Sequence, residues 1–519
     1  MFARLELVPR DILEHIAFLV ALSPSETVFK PLQELLNLLL SSSTLYYSLC
    51  TTSAPHLYAR VFRSTFDLDT SEPWNTDVYQ FTDSRLTAEL VSRYRLLRRV
   101  RRRDFADKMM REDLCVAMRV VIESNGANEA HLRSVEFPDF IFCYAEQCLN
   151  EYQLRSTSAP SYNIDLALWL LVLTWSKDAI ANVSEETRER FLLLLRPLIA
   201  MTSRDDIKST QGNTHVMPSM DDCERSDDFV YPSAISAAVI LDFALREAGT
   251  TKAPPRLPLA RATNATSRQD GPTMEDYYIM ASYQTPLFGD DWPASRITSN
   301  PGQRRFRHDP QFFNPKLLDS NAYHRLPEFI TGLWQGVYMV SCSHSSKEAP
   351  LPDAPDFICK TSLQCSLELY FSFGAQDHPV PECIGDEVIK WTAAPRDFST
   401  QMDCLTVSGH KTSYEKYCQM STRDYSQALD CLVIGRTTEE HDRAWGGFNF
   451  AGRMKRDGSI VMKREPKKVS DANLGTWIFE GNVRYGTSFV GTWRSSILPG
   501  GIHGLFSLAR PGPLMRPEV

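Results

Sequence analysis

Residues 5–22 read LELVPRDILEHIAFLVAL, and residues 32–40 read LQELLNLLL. In the first stretch Pro9 suits a helix start, where its missing N–H costs nothing. Asp11 and Glu14 complement the positive end of that helix. Ile12, Leu13, Ile16, Leu19 and Val20 recur at helical spacing and form one apolar face. The turn-rich SPSETVFKP (23–31) breaks the pattern before Leu32, Leu35, Leu36 and Leu39 set out a second face. The serines at 41–43 supply a cap, through Ser43 or a neighbour, for a third helix, TLYYSLC (44–50). A fourth apolar segment, PHLYARVF (55–62), follows. Four short helices in about 60 residues make a core too thin to bury all of these leucines. The surplus apolar surface implies a partner.

The order Leu-x-Pro, Asp-Ile-Leu-x-x-Ile, a leucine-rich helix, a serine-started helix with Leu45 and Tyr46, and Pro55-His-Leu-Tyr resembles an F-box. The break between the first two helices is longer than in that family. Tyr58 stands where the family often has Trp. The resemblance implies a non-catalytic substrate receptor of a Skp–cullin–F-box ubiquitin ligase, acting in protein degradation. Its implied partners are a Skp-type adaptor, a cullin ligase and an unidentified protein substrate. The implied adaptor-binding residues are Leu7, Pro9, Ile12, Leu13, Ile16, Leu36, Leu39, Leu57 and Tyr58.

Beyond this module, which spans 1–65, the expected organisation is a helical domain over 66–250, a linker or docked irregular segment over 251–330, and a β-rich domain over 331–519. The helical reading rests on the apolar periodicity of residues 114–121, 137–149, 164–175, 191–201 and 234–248. The run Arg98-Arg-Val-Arg-Arg-Arg103 reads either as a solvated helix face or as a patch for an acidic partner or nuclear targeting. From Gly332 the apolar period changes to two. Residues 333–342, 364–373, 431–437, 443–454, 458–465, 476–486 and 488–496 read as strands. Asp457-Gly458 suits a hairpin turn, and Gly481-Asn482 and Tyr485-Gly486 mark further reversals. Roughly eight antiparallel strands fit a closed barrel, which removes exposed edges. Three Gly-x-Trp units, ending at Trp334, Trp477 and Trp493, resemble the strand-initial pattern of lipocalin-like barrels. With Trp445 these tryptophans are the candidate substrate contacts, and the bland reading places them in the core. The expected fold class is therefore α+β: an F-box-like helical module, a helical middle and a lipocalin-like antiparallel β-barrel.

The 519 residues carry a formal net charge of -8, so composition does not point to a nucleic-acid binder. No apolar run is long enough to cross a membrane, and no export signal is read at the start. The twelve cysteines are scattered without a CxxC pair. These features lead to an expectation of reduced thiols in the cytoplasm or nucleus. No nucleophile elbow, phosphate loop, dinucleotide fingerprint or zincin helix occurs, so no catalytic residue, cofactor or metal is assigned. The nearest metal-like group, Cys342, His344, Cys359 and Cys365, matches no common zinc spacing. An alternative from a different class is a small-ligand carrier or sensor built on the barrel, with the N-terminal helices structural.

Overall fold

A computed structural model of the chain describes residues 5, 8–23, 29–67, 82–106, 109–123, 126–155, 162–201, 214–216, 230–232, 234–249, 256–260, 271–287, 326–341, 357–374, 398–401, 404–407, 413–420, 423–456, 458–468, 475–484, 486–495 and 503–510. The fold is α+β, with helices in the N-terminal part and a closed eight-stranded antiparallel β-barrel in the C-terminal half. Two compact units divide the chain: residues 1–179 with 288–301, and residues 180–287 with 302–519.

In the first unit α1 (Arg10–Ala21), α2 (Lys30–Leu40), α3 (Ser43–Leu49) and α4 (Pro55–Thr65) pack on one another. Ser42 caps α3, its side chain accepting from Thr44 N at 3.2 Å. Arg10 Nε donates to Glu14 at 2.9 Å, and a second Arg10 nitrogen donates to the Ser53 carbonyl at 2.6 Å. His56 meets the other Glu14 oxygen at 2.6 Å. Burial opposes ionisation of Glu14, but the His56 and Arg10 hydrogen bonds hold its carboxyl below the ordinary range. This network ties α1 to the α3–α4 turn.

The long α5 (Asp83–Arg102) lies along α4, with Thr82 capping it. Arg93 is only 2% exposed, with its guanidinium over the rings of Phe62 (4.7 Å) and Phe66 (5.2 Å). It pairs with Glu123 and reaches Asn128 Oδ1 at 3.3 Å. These partners take up part of the guanidinium, and its Nε, without a hydrogen bond among the described residues, lies 3.8 Å from a Glu89 oxygen; desolvating the group wholly unpaired would cost several kcal/mol (~3–5). Then follow α6 (Met110–Ile122), α7 (Ala127–Ser134), α8 (Phe137–Arg155) and α9 (Tyr162–Thr174), while α10 (Lys177–Asn182) spans the division between residues 179 and 180. The α9 run from Leu166 to Val172 is fully buried, Trp169 included. That is the behaviour of a helix that is apolar all round.

The second unit holds α11 (Glu185–Met201), the short pair β1 (Thr214–Val216) and β2 (Val230–Pro232), α12 (Ala234–Glu247), α13 (Met274–Ser282) and α14 (Pro327–Ile330). Its barrel strands are β3 (Gly332–Ser341), β4 (Phe357–Ser372), β8 (Asp430–Arg436), β9 (Phe448–Met454), β10 (Ser459–Pro466), β11 (Trp477–Arg484), β12 (Ser488–Ser495) and β13 (His503–Ala509). They pair in chain order, and β13 closes on β3. Between β4 and β8, β5 (Phe398–Gln401), β6 (Cys404–Val407) and β7 (Ser413–Lys416) extend the sheet from the C-terminal end of β4.

Three local expectations change. The closing strand β13 was not among the stretches read as strands. Residues 443–445, read as strand, belong instead to a helix, α15 (Glu439–Trp445), which Thr438 caps. Gly481-Asn482 is not a reversal but lies inside β11, whereas the reversal read at Tyr485-Gly486 is where the chain turns, with Gly486 at positive φ. Gly481 faces the lumen, where a Cβ would come within 2.8 Å of the Phe506 ring. Glycine here leaves room for an aromatic side chain and does not make a turn.

The lumen is packed with side chains. Trp334, Leu367, Phe371, Val433, Phe450, Met454, Phe479, Phe489, Trp493 and Phe506 form one buried cluster. A second, smaller core lies on the outer side of the wall, where Tyr414 and Leu405 cover Tyr370, Leu432 and Ala451. There the Tyr414 hydroxyl donates to Asp430 at 2.8 Å, and Asp430 also takes Arg453 Nε; all three side chains are buried. Burial and the Asp430 charge push the Tyr414 hydroxyl up. On β12 and β13 the outer face is covered by α12, buried over nearly its whole length. Within α12 the buried Asp242 accepts from two of the Arg246 nitrogens, at 2.9 and 3.1 Å, and desolvation raises its carboxyl. Thr285 joins this layer to the barrel, meeting Ser507 Oγ at 3.0 Å and Glu247 through its amide at 2.8 Å.

Candidate functional site

The N-terminal helices sort their apolar residues into two sets. Leu13, Ala17 and Ala21 of α1, Leu35 and Leu39 of α2, Leu45 and Leu49 of α3, and Leu57, Tyr58, Val61 and Phe62 of α4 are buried within the module. Tyr58 donates from its hydroxyl to the Leu49 carbonyl at 2.8 Å, and burial raises its pKa to about 12. A second set faces water: Ile12 at 48%, Leu19 at 56%, Leu36 at 41% and Leu40 at 69% exposed, with Tyr46 and Tyr47 beside them in sequence on α3. Pro9 is also exposed, and Ile16 is half-buried.

The nine residues expected to touch an adaptor therefore divide. Pro9, Ile12 and Leu36 are open to solvent, Ile16 is partly open, and Leu13, Leu39, Leu57 and Tyr58 build the module's interior. Leu7 lies outside the described residues. Leu19, Leu40 and Tyr47 join the exposed set without having been singled out as contacts. The signal that finds Leu40 is its place in register with Leu36 on the helix, at i and i+4. Ile12 and Leu19 recur at i and i+7 on α1, and Leu36 and Leu40 at i and i+4 on α2, so each helix carries its exposed apolar side chains on one side.

The four candidate tryptophans also separate. Trp334 is fully buried near the start of β3 and donates to the Ile330 carbonyl of α14 at 2.8 Å. Arg510, following β13, lies over its ring and donates to the Glu328 and Thr331 carbonyls, closing that end. Trp493 is in register with Gly504, which pairs with Val340. Val340 lies six residues beyond Trp334 on β3, about 20 Å of strand. Trp477 and Trp493 stack at 4.4 Å at this second end, each edge-on to Tyr338. Trp477 and Trp445 are half-buried, whereas Trp493 is 1% exposed and donates to the Met339 carbonyl at 3.0 Å.

At the Trp477 end Arg464 is buried between the faces of Trp477 (3.7 Å) and Phe448 (3.9 Å). Short α15 links β8 to β9 here. It is fastened by Thr438, whose amide and hydroxyl both donate to Gln364 Oε1, at 3.0 and 2.6 Å. Lys467 Nζ donates to Asp442 at 2.7 Å and to the Thr437 carbonyl at 2.8 Å. His441 of α15 is buried, with Nδ1 3.2 Å from the Gly446 carbonyl. Burial lowers its pKa to about 4, and the Arg464 charge acts in the same direction. Arg464 and His441 were not singled out from the sequence, because neither sits in a recognisable motif.

Of the cysteine–histidine group weighed as a metal site, Cys342 and His344 lie outside the described residues. Cys365 faces the lumen among apolar neighbours, and burial pushes its thiol up. Among the described residues no group of three potential metal-ligating side chains comes together, and no helix is long and apolar enough to cross a membrane. No family model, no curated protein and no solved structure matches this chain.

Proposed function

We propose that this chain is the substrate receptor of a Skp–cullin–F-box-type ubiquitin ligase, in which α1–α3 dock on a Skp-type adaptor and the C-terminal barrel binds the protein substrate. The observation that carries the reading is the solvent-facing apolar set Ile12, Leu19, Leu36 and Leu40, standing beside a complete interior made by Leu13, Leu35, Leu57 and Phe62. The module packs its own core and still leaves large aliphatic side chains in water. A covering partner accounts for that. The receptor role is one of proximity: it holds a substrate near the charged enzyme and leaves the chemistry to other subunits.

The barrel is read as lipocalin-like. Its supports are the up-and-down order of eight strands and the Gly332-Leu-Trp334 start, with Gly332 at φ 126°. A small-ligand carrier would use the lumen, and there the buried rings already lie in edge contact, Phe479 with Phe506 at 5.4 Å and Phe489 with Phe506 at 5.0 Å. The half-buried Trp445 and Trp477 at the α15 end are the better-placed substrate contacts.

The test is binding of the full chain to a recombinant Skp-type adaptor. Half-exposed aliphatic side chains bring ~1 kcal/mol each when fully covered. Ile12→Ala/Leu36→Ala/Leu40→Ala should therefore weaken binding about 100-fold while leaving the melting temperature unchanged. Wild-type binding that the triple substitution does not move, or no binding at all, sinks the assignment.

A further inference from the structure

The run 98–103 is split by the fold in a way its sequence does not show. Arg99 is taken into the structure, donating to Asp113 and to the carbonyls of Asp104 (3.2 Å) and Ala106 (3.0 Å). Arg103 meets Glu136 at 3.2 Å. Arg98, Arg101 and Arg102 are exposed, and their i, i+3, i+4 spacing puts them on one face of α5. Among the described residues no carboxylate pairs with any of these three, although Arg95 and Arg99 on the same helix both pair with Asp113.

This face adjoins the apolar one. The Arg101 guanidinium lies 5.3 Å from the ring of Phe29, which precedes α2 and meets Tyr94 of α5 edge-on at 6.3 Å. Phe29, Leu36 and Leu40 stand at i, i+7 and i+11. Leu36 and Leu40 thus follow Phe29 along one side of α2, about 10 and 16 Å further on. A single protein interface of standard size, about 800 Å² per partner, spans such a distance.

We propose that Arg98, Arg101 and Arg102 form the basic rim of the docking face and receive an acidic segment of the same protein partner that covers Ile12, Leu36 and Leu40. This rests on the adaptor-docking reading above and adds the partner's charge and how it is captured. An apolar centre beside a charged rim is the anatomy of a protein–protein contact. The chain carries a net charge of -8 overall, so an acidic partner is repelled by most of the surface and drawn to this one. Three arginines neutralise few phosphates and would give a nucleic acid only a shallow hold.

The experiment measures association and dissociation of the full chain with a recombinant Skp-type adaptor at about 50 and about 500 mM salt, where screening lengths differ severalfold. Arg98→Glu/Arg101→Glu/Arg102→Glu should slow association about tenfold or more at low salt. The difference should shrink at high salt, with dissociation changed by less than about twofold. Arg98→Glu/Arg102→Glu, which keeps Arg101 on Phe29, should show the same effect in smaller measure. Ile12→Ala/Leu36→Ala/Leu40→Ala should do the reverse and speed dissociation. Unchanged association of both charge variants with an adaptor that binds wild type overturns the rim and leaves the docking face standing. Adaptor kinetics that do not move, while binding to homopolymeric RNA or phosphatidylserine vesicles is lost, overturns it in favour of a polyanion. Failure of the adaptor to bind wild type overturns the docking reading and the rim with it.

Discussion

Replacing Trp493 with alanine measures whether the barrel interior is full. The indole is 1% exposed, stacks on Trp477 at 4.4 Å and donates to the Met339 carbonyl at 3.0 Å. Across from it, Gly504 leaves the space the ring needs: a Cβ there would fall 2.8 Å from Trp493 Nε1 and 1.8 Å from the Met339 oxygen. The neighbours are thus set against the ring by strand register and cannot collapse into the gap. Truncating a buried Trp in such a setting costs about 3–5 kcal/mol. Each ~1.4 kcal/mol is tenfold in an equilibrium constant, so amides of β12 and β13 should exchange with deuterium roughly a hundred- to several-thousand-fold faster. Native-state hydrogen exchange on the full chain reads this for the barrel alone. Trp493→Phe, which keeps a ring but loses the Met339 bond, should fall between wild type and alanine. Indole added to the alanine variant should restore protection by binding the cavity. Acceleration below about tenfold would refute the packed lumen. So would stoichiometric binding of indole inside the wild-type barrel, and either result would move the balance towards the small-ligand carrier.

Acid should weaken the α15 end of the barrel. His441 titrates near 6.5 when free and is held down to about 4 by burial in place. Between those values the unfolded chain binds the extra proton, so stability falls as pH drops from 6.5 and the loss is complete below about 4. At about 1.4 kcal/mol per pH unit the total is about 3 kcal/mol. Exchange protection of β8 and β9 compared at several pH values should show the slope in wild type and not in His441→Gln; equal slopes would remove His441 as the cause. The buried pair on the outer wall should behave non-additively. Asp430→Ala leaves the Arg453 guanidinium buried without its carboxylate and should cost about 3–5 kcal/mol, whereas adding Arg453→Met should recover much of that. A double-mutant cycle by denaturant titration or exchange checks it, and additive losses would show the two side chains to be uncoupled.

The change of apolar period at Gly332 and the helical spacing of residues 10–62 made both halves of the fold legible, because local burial periodicity is written directly in residue order. The same spacing could not say which leucines were inside. Leu35 and Leu36 are adjacent and equally apolar, yet one is 2% and the other 41% exposed. Helix packing decides that, through which side of α2 turns towards α1 and α3. The strand β13 was illegible for a similar reason. Residues 503–509 are a short stretch with glycine and serine, and only their pairing with both β12 and β3 makes them the strand that closes the barrel.

Some features needed the tertiary structure altogether. A run of arginines looks uniform in sequence, but Asp113, an α6 residue, claims Arg99 and leaves Arg98, Arg101 and Arg102 to solvent. Trp334, Trp477 and Trp493 share one motif, yet strand register sends Trp334 to the end closed by Arg510 and the other two to the end beside α15. His441 is an ordinary polar residue of a short helix until burial next to Arg464 lowers its pKa. Sequence by itself determined the α+β class, the helical start and the β-rich end, since these follow from the period with which one chain alternates oil and water. Which exposed and buried faces result, and which charges stay unpaired, was decided by contacts between residues far apart in the chain, because desolvation and ion pairing depend on distance in space and not on position in sequence.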